Sequence, residues 1–302
     1  MPKTFALALA CAALLLCATA GSARAKGTRE LEGEVQRLVA ESGAETVAVA
    51  FRDLQTGRAL FVNDRVSFHA ASTMKVPLMF EVYREAREGV LRLDESVPVK
   101  NEFKSIADGS AFSVSPDDDS EQTLYKKVGG TETVRALVRL MITESSNLAT
   151  NILIERVGPA RVSALLRDMG ARDMRVLRGV EDGKAFERGL NNTTTARDLA
   201  ILLRALAEGR AVSREASREM ADVLAAQKFN EGIPSGLPAG VRVAHKTGSI
   251  TKIEHDAGVV YPPRRKPYVL VVLVRGIADE KRAHRLIADI SRAVYEDALA
   301  SK

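Results

Sequence analysis

The sequence predicts an α/β (α+β) fold in which an antiparallel sheet is flanked by helices and an all-helical domain is inserted between the two chain ends. Strand-like segments occur near both termini, whereas helical periodicity dominates the stretch between them. The chain has 302 residues, of which 46% are hydrophobic, so it is long enough to bury a sizeable core. We expect residues 26–84 and 232–302 to form the α/β domain, residues 85–231 to form the helical domain, and the functional site to lie at their interface.

Residues 1–25 have the features of a cleaved secretory signal. A lysine precedes the apolar run from Phe5 to Leu16, and an A-x-A-like cleavage sequence follows it. This run is too short to span a bilayer, so we expect a periplasmic or secreted protein without stable membrane insertion. Both cysteines, Cys11 and Cys17, fall within the leader, so the mature chain would contain neither a disulfide nor a Cys-based metal site. Lipid attachment at Cys17 is disfavoured because Leu16 occupies a position that normally carries a small residue.

A helix and a hairpin are predicted after the leader. Apolar residues at helical spacing indicate a helix over residues 30–39, and short apolar runs indicate strands over residues 46–51 and 59–62. A further helix is expected to begin near Thr73, where Pro77 is still early enough to be tolerated.

The middle of the chain is predicted to be mostly helical. Thr131 can cap the first of these helices, and the others are bounded by Gly and Pro residues or by Ser and Thr caps. They are expected over residues 148–157, 162–169, 195–208 and 213–227. Residues 101–130 lack periodicity and are expected to form a long surface excursion.

Strands return near the C-terminus. Short β-branched runs separated by turn residues indicate strands over residues 241–244, 258–261 and 268–274. The last two flank a Pro-rich turn and are expected to pair as a second hairpin. A final helix over residues 281–299 closes the chain.

Charge and histidine spacing restrict the classes of ligand. The formal net charge is +5, but acidic and basic residues are interspersed, which gives little support to a nucleic-acid role. The four histidines show no metal-ligand spacing, so we expect no metal and no cofactor. A monomer is the expected state.

Three short motifs point to the chemistry of the chain. In order, they are Ser72-Thr73-Met74-Lys75, Ser145-Ser146-Asn147 and Lys246-Thr247-Gly248. A Ser-x-x-Lys sequence alone says little, and residues 249–252 supply a second copy in the same chain. The three motifs fall at a helix start, at a junction between helices and on a late strand. Their order and context are those of one serine acyl-transfer site.

The first motif places a nucleophile beside a base. Residues three apart at the start of a helix share a face, so Lys75 is expected next to Ser72. A serine hydroxyl becomes a good nucleophile when a nearby group takes its proton, and a partly desolvated lysine with a lowered pKa can do so. The helix N-terminus also offers free N–H groups to an oxyanion. Lys246 and Thr247 would present a cation and a hydroxyl, which suits a substrate carboxylate.

The segments around these motifs resemble those of class A β-lactamases. Residues 68–78 (FHAASTMKVPL) are similar to the active-site segment of that family, residues 192–198 (NTTTARD) to the threonine run after its omega loop, and residues 255–263 to its strand after Lys-Thr-Gly. The resemblance covers nearly all of the mature chain. It implies a β-lactamase/transpeptidase-like fold and a serine hydrolase that opens β-lactam amides through an acyl-serine intermediate.

The resemblance also implies catalytic roles. Ser72 would be the acylated nucleophile, and Lys75 would be its proton acceptor or relay. Ser145 would pass the proton to the leaving nitrogen of the substrate.

Substrate binding is implied for the remaining motif residues. Asn147 would contact the side-chain amide of the substrate and Lys75. Lys246 and Thr247 would hold its carboxylate, and the backbone N–H groups of Ser72 and Ser249 would form the oxyanion hole.

Two features depart from the family pattern. The second motif usually reads Ser-Asp-Asn, whereas Ser146 stands in the middle here. That position is structural, so acylation is expected to survive. The family also usually has an acidic residue where Asn192 stands, at the exit of the loop over residues 178–192, which weakens an expected ion pair with Arg178.

The omega-loop glutamate, which activates the deacylating water in this family, has two candidates. Glu187 has the Leu-Asn context of the family but lies close to the end of the loop, whereas Glu181 has nearly the right spacing without that context. We take Glu181 as the candidate base, with Glu187 or neither carboxylate as the alternatives. General-base assistance is worth roughly 10²–10⁴ in rate, so this loop decides the fate of the acyl-enzyme.

The predicted function is that of an exported β-lactamase-type hydrolase. The alternatives on the same scaffold are a D-Ala-D-Ala peptidase or an esterase, and a slowly deacylating penicillin-binding or sensing domain. The expected substrate is a small-molecule β-lactam or a cell-wall peptide.

Overall fold

The computed structural model describes residues 29–301, so the predicted leader lies outside the described residues. The strands are β1 (Thr46–Asp53), β2 (Ala59–Val62), β3 (Phe68–His69), β4 (Ser96–Pro98), β5 (Phe103–Lys104), β6 (Ala111–Phe112), β7 (Thr131–Thr133), β8 (Thr193–Thr194), β9 (Arg242–Ile250), β10 (Ile253–Tyr261) and β11 (Tyr268–Arg275). The helices are α1 (residues 29–41), α2 (Lys75–Glu88), α3 (Val134–Thr143), α4 (Asn147–Val157), α5 (Pro159–Met169), α6 (Gly183–Glu187), α7 (Ala196–Ala207), α8 (Arg214–Ala225) and α9 (Glu280–Ala300). No helix in this range is long and apolar enough to cross a membrane.

Five strands form one antiparallel sheet in the order β2-β1-β11-β10-β9. The central strand β11 pairs with β1, from Thr46↔Arg275 to Asp53↔Tyr268, and with β10 on its other side. Because β1 and β2 precede the helical middle of the chain and the other three strands follow it, both ends of the chain meet in one sheet. The predicted fold class is confirmed.

Helices cover both faces of this sheet, which explains why β11 is buried and largely apolar from Tyr268 to Val274. Leu270, Val272 and Val274 pack in the core shared with α1 and α9. The alternate residues of the strand point the other way, into the core shared with α2 and α7. That second core continues into α3, α4, α5 and α8, so the helical region packs directly against the sheet.

Helix α2 carries the Ser-x-x-Lys motif into the centre of the molecule. It follows a 3-10 turn over Ala71–Met74, so the α-helix begins at Lys75 rather than near Thr73. The helix is buried through its first nine residues and ends at Gly89, whose φ of 74° is a conformation that glycine adopts without strain.

Three expectations about the elements need correction. Thr131 does not cap a helix, because it begins strand β7, and Thr133 caps α3 by accepting a bond from the N–H of Ala136 at 3.2 Å. The strands predicted over residues 241–244 and 258–261 are longer, because polar residues that are buried against the helices continue both strands. Residues 101–130 are more than a surface excursion, since they contain the β5–β6 hairpin and several buried side chains.

Candidate active site

Ser72 lies in the 3-10 turn before α2, where strand β9 passes close by. Its neighbour Ala71 has a φ of 45°, a conformation that non-glycine residues rarely adopt. A Cβ at Gly248 would lie 3.1 Å from the backbone nitrogen of Ser72 and 3.2 Å from Cγ2 of Thr73. The glycine of the Lys-Thr-Gly motif therefore permits the close approach of β9 to the serine.

Lys75 is completely buried, and its amine is surrounded by acceptors. Nζ donates to the backbone oxygen of Ser145 at 2.6 Å, to Ser145 Oγ at 3.1 Å and to Asn147 Oδ1 at 3.0 Å. Burial lowers the pKa of Lys75 to about 7, against the opposing effect of the carboxylates of Asp119 and Glu181. Both protonation states are therefore populated near neutral pH, as a proton acceptor requires.

Ser145 lies between two buried lysines. Its Oγ accepts hydrogen bonds from Lys75 Nζ and from Lys246 Nζ, each at 3.1 Å. Burial and the nearby charge of Lys75 lower the pKa of Lys246 well below its ordinary value. Since a hydroxyl has two lone pairs and one proton, two accepted bonds leave the proton of Ser145 available for a third group. The φ of 58° at Ser145 holds the side chain in this position.

Asp119 supports the second motif from a distant segment of the chain. Its Oδ2 accepts bonds from the backbone N–H groups of Asn147 at 2.8 Å and Leu148 at 2.9 Å, at the start of α4. The hydroxyl of Ser146 lies 3.4 Å from the same oxygen, and that of Tyr125 donates to it at 2.9 Å. A carboxylate at a helix N-terminus is stabilised by the exposed N–H groups. Asp119 thus supplies an acidic group next to Ser146, which occupies the motif position where the family has an aspartate.

Asp119 was not among the site residues predicted from the sequence. The available signal was an acidic run over residues 117–119 together with a missing acid in the second motif. Only the fold brings the two segments together.

Glu181 reaches into the site, and Glu187 does not. Glu181 Oε1 accepts a bond from Asn147 Nδ2 at 3.2 Å, and the residue lines one cavity together with Ser72. Although the side chain is partly open to solvent, desolvation within the cleft, reinforced by the nearby charge of Asp118, raises the pKa of Glu181. Glu187 is exposed at the end of α6 and lines neither of the two cavities that contain Ser72 in the described part of the chain.

The loop that carries Glu181 is closed by hydrogen bonds to neutral acceptors. Asn192 Oδ1 accepts from the backbone N–H groups of Leu177 at 2.8 Å and Arg178 at 3.2 Å, and Asn192 Nδ2 donates to the backbone oxygen of Arg178 at 2.9 Å. The guanidinium of Arg178 donates to the backbone oxygen of Leu190 and to Asn191 Oδ1. These bonds take the place of the ion pair that an acidic residue at position 192 would make.

Ser72 opens onto two cavities, of about 340 and 380 Å³. Ser249 and Asn147 line both, whereas Thr247 lines the first. Ser249 Oγ donates to Glu254 Oε1 at 2.5 Å across the β9–β10 ladder, and Glu254 Oε2 lies 3.2 Å from His284 Nε2. The structure therefore brings all the predicted motif residues, together with Glu181, to one cleft.

The described residues contain no cluster of three or more His, Cys, Asp or Glu side chains that could hold a metal ion. The polar groups of the cleft are instead engaged with one another. Their arrangement suits proton transfer between side chains and a bound molecule.

The antiparallel sheet with helices on both faces, and the cleft between its edge strand β9 and the helical region, define a protein of the β-lactamase/transpeptidase-like fold class. A model of the β-lactamase enzyme family matches residues 30–298. The chain belongs to this family.

Individual relatives agree with this assignment. A β-lactamase of Streptomyces lavendulae is 28% identical over 275 residues, which cover 89% of this chain and 87% of the relative. The structure of an ancestral class A β-lactamase (GNCA) is 30% identical, with a TM-score of 0.76 over 88% of this chain and 99% of that one. A mutant of PBP-A, described as an acyl-enzyme complex with penicillin G, is 29% identical, with a TM-score of 0.77 over 89% and 96% of the two chains.

Proposed function

We propose that this β-lactam hydrolase acts as a serine enzyme and opens the β-lactam amide through an acyl intermediate on Ser72. The observation that carries the proposal is the position of Ser145 Oγ, which accepts hydrogen bonds from both Lys75 and Lys246 beside Ser72. Acyl transfer needs a nucleophile, a proton acceptor and a proton donor. Ser72 is the nucleophile, Lys75 has a pKa near neutrality, and the hydroxyl of Ser145 has a proton available to donate.

Acylation begins when the neutral amine of Lys75 takes the proton of Ser72. Ser72 Oγ then attacks the amide carbon, and the N–H groups of Ser72 and Ser249 stabilise the oxyanion. The C–N bond breaks, and Ser145 delivers its proton to the leaving nitrogen. Lys75 returns a proton to Ser145 along their 3.1 Å contact, which restores the site.

Lys246 and Thr247 bind the substrate carboxylate in this scheme, and Asn147 binds its side-chain amide. Burial lowers the pKa of Lys246 on β9, and a substrate carboxylate bound beside it would favour its charged form in a poorly solvated region where electrostatic attraction is stronger than in water. This arrangement favours substrates with a carboxylate next to the scissile amide.

Deacylation uses Glu181 as general base. The raised pKa of Glu181 brings it closer to neutrality, which improves a carboxylate as a proton acceptor. Its contact with Asn147 Nδ2 directs the carboxylate toward the cleft that holds Ser72. Glu187 has no comparable position.

A slowly deacylating penicillin-binding protein is the second candidate. The side chain of Glu181 is solvent-exposed and makes one direct hydrogen bond, to Asn147, within the described residues. The similarity to a PBP-A mutant described as an acyl-enzyme complex with penicillin G also favours it. A D-Ala-D-Ala peptidase or esterase would share the same first half-reaction and would release D-alanine or cleave esters.

The leader predicted over residues 1–25 supports a proposal about where the protein works. We propose that the protein is exported to the periplasm or secreted as a monomer after cleavage near residue 25. The mass of the mature protein recovered from culture medium or periplasm tests this proposal.

Hydrolysis of a chromogenic cephalosporin by the purified protein tests the enzymatic proposal. Multiple turnovers that disappear in Ser72→Ala support a β-lactamase, whereas a stoichiometric adduct without product supports the second candidate. Neither turnover nor a covalent adduct would overturn the proposed acylation.

A further inference from the structure

Asp182, directly after Glu181, ties the omega loop to a neighbouring hairpin. Its side chain is only 2% exposed. Oδ1 accepts the hydroxyl of Ser105 at 2.7 Å and the N–H of Ala185 at 3.1 Å, and Oδ2 accepts the N–H of Ile106 at 3.0 Å. One buried carboxylate therefore joins the start of α6 to the tip of the β5–β6 hairpin.

The hairpin is itself anchored to the body of the protein. Phe103 is buried in the core that the helices share, and within the hairpin it packs on Phe112 with ring centroids 5.8 Å apart. At the outer edge of the contact, Lys184 pairs with Asp108 at 3.0 Å. That outer pair is solvent-exposed and is worth little, whereas the bonds to Asp182 are shielded from water.

Glu181 needs such restraint. Its φ of 60° lies in the left-handed region, which costs a non-glycine residue free energy and persists only where the surroundings impose it. On the other side, Asn151 holds Val180 through bonds to its N–H at 2.7 Å and its backbone oxygen at 3.0 Å. Glu181 is thus fixed at both flanking residues, although its own side chain is exposed.

We propose that Asp182 and Ser105 are positioning residues that hold Glu181 against Asn147 and thereby set the rate of deacylation. This inference rests on the proposed function. In the step concerned, water adds to the acyl carbon, its proton passes to Glu181, the bond to Ser72 Oγ breaks, and the proton ends on that oxygen. Acylation uses Lys75 and Ser145, which lie outside the contact with the hairpin.

Separate measurement of the two half-reactions tests the proposal. Acylation and deacylation rates with benzylpenicillin are followed by rapid quench and intact mass for wild type, Ser105→Ala, Ser105→Thr and Asp182→Asn. Asp108→Asn is the matched control, because it removes the outer ion pair of the same contact. Amide hydrogen exchange over residues 178–190 is measured on the same proteins without ligand.

We expect Ser105→Ala and Asp182→Asn to slow deacylation by about 10-fold while acylation stays within about two-fold, because small displacements of a catalytic group are costly. Ser105→Thr keeps the hydroxyl and should retain most of the rate. Loop amides should exchange faster in the first two variants and not in Asp108→Asn.

Three results would overturn the proposal: equal slowing of both half-reactions, unchanged deacylation in Ser105→Ala and Asp182→Asn, or deacylation that does not depend on Glu181. A wild-type protein that forms no adduct at all would refute the proposed function instead. In that case the exchange data decide the positioning role alone, and loop amides unaffected by Ser105→Ala would refute it.

Discussion

Removal of the Asp119 carboxylate is expected to weaken the fold and to change the acylation chemistry together. The side chain is 5% exposed, and one of its oxygens accepts the N–H groups of Asn147 and Leu148. Bonds to a charged acceptor contribute about 1.5–3 kcal/mol each, so Asp119→Ala should lower the free energy of unfolding by about 3 kcal/mol or more. Asp119→Asn keeps one acceptor oxygen and should cost less, about 1–2 kcal/mol.

These losses of unfolding free energy correspond to measurable decreases in melting temperature. For a domain of this size, 1 kcal/mol corresponds to roughly 2–4 °C, so Asp119→Ala should melt at least about 6 °C below wild type. Tyr125→Phe is the matched control, since it deletes one hydroxyl that donates to the same carboxylate at 2.9 Å and leaves the charge in place. Its effect should be close to that of one hydrogen bond to a charged acceptor, about 1.5–3 kcal/mol.

The charge of Asp119 also acts on Lys75. The carboxylate raises the pKa of the lysine against the lowering effect of burial, so Asp119→Asn should lower this pKa below the wild-type value of about 7. Wild-type acylation should decline as the pH falls through about 7, because Lys75 becomes protonated and can no longer accept the proton of Ser72. In Asp119→Asn this acidic limb should shift to lower pH.

Single-turnover acylation rates across the pH range, combined with thermal unfolding, provide the assay. Asp119→Asn should combine a lower melting temperature with an acidic limb at lower pH, and Tyr125→Phe should leave the limb in place. An acidic limb that moves to higher pH in Asp119→Asn would exclude the electrostatic effect of Asp119 on Lys75, and an unchanged melting temperature in Asp119→Ala would exclude its stabilising role.

Four further variants probe other parts of the site. Glu181→Gln should slow deacylation by roughly 10²–10⁴ and accumulate acyl-enzyme in intact-mass spectra, whereas Glu187→Gln should behave as wild type; the reverse pattern would exchange their roles. Lys246→Met should lower kcat/KM for a carboxylate-bearing β-lactam by about 100-fold and affect its methyl ester much less, and equal losses would remove the carboxylate-binding role. The hydrogen bond to Glu254 raises the pKa of His284. This pair therefore stabilises the fold fully below the unfolded-state pKa of the histidine, and the effect is lost as the pH rises through its folded-state pKa. His284→Asn should flatten this part of the plot of unfolding free energy against pH, and an unaltered plot would contradict the linkage.

The sequence was sufficient to predict the fold class and the motif residues because both depend on local patterns. Alternating and helical apolar spacing marks strands and helices, and Ser72 and Lys75 are close along one turn of backbone. Ser145 and Lys246 were placed by their motif context. The fold brings their side chains together at one hydroxyl.

The misassigned elements have a common physical reason. Strand β9 continues past its apolar run because buried polar residues, including Lys246, are satisfied by partners from other segments. In the same way Asp119, in a segment without periodicity, is buried because α4 offers it two N–H groups. Contacts between distant segments decide these cases, and local sequence patterns do not report them.

Glu181 illustrates a further limit of local patterns. The sequence context favoured Glu187 and the spacing favoured Glu181, so the two criteria disagreed. In the folded chain, Glu181 is the glutamate whose side chain contacts Asn147. Its left-handed backbone conformation turns the side chain that way, and the bonds of its neighbours Val180 (to Asn151) and Asp182 (to Ser105) hold the backbone in place.

Time-resolved intact mass during reaction with benzylpenicillin shows whether Ser72 carries the acyl group. We expect the wild-type protein to gain the full mass of the β-lactam on one site, peptide mapping to place the adduct on the segment with Ser72, and Ser72→Ala to gain none. An adduct that persists in Ser72→Ala, or hydrolysis by wild type without any adduct under rapid quench, would contradict this role of Ser72.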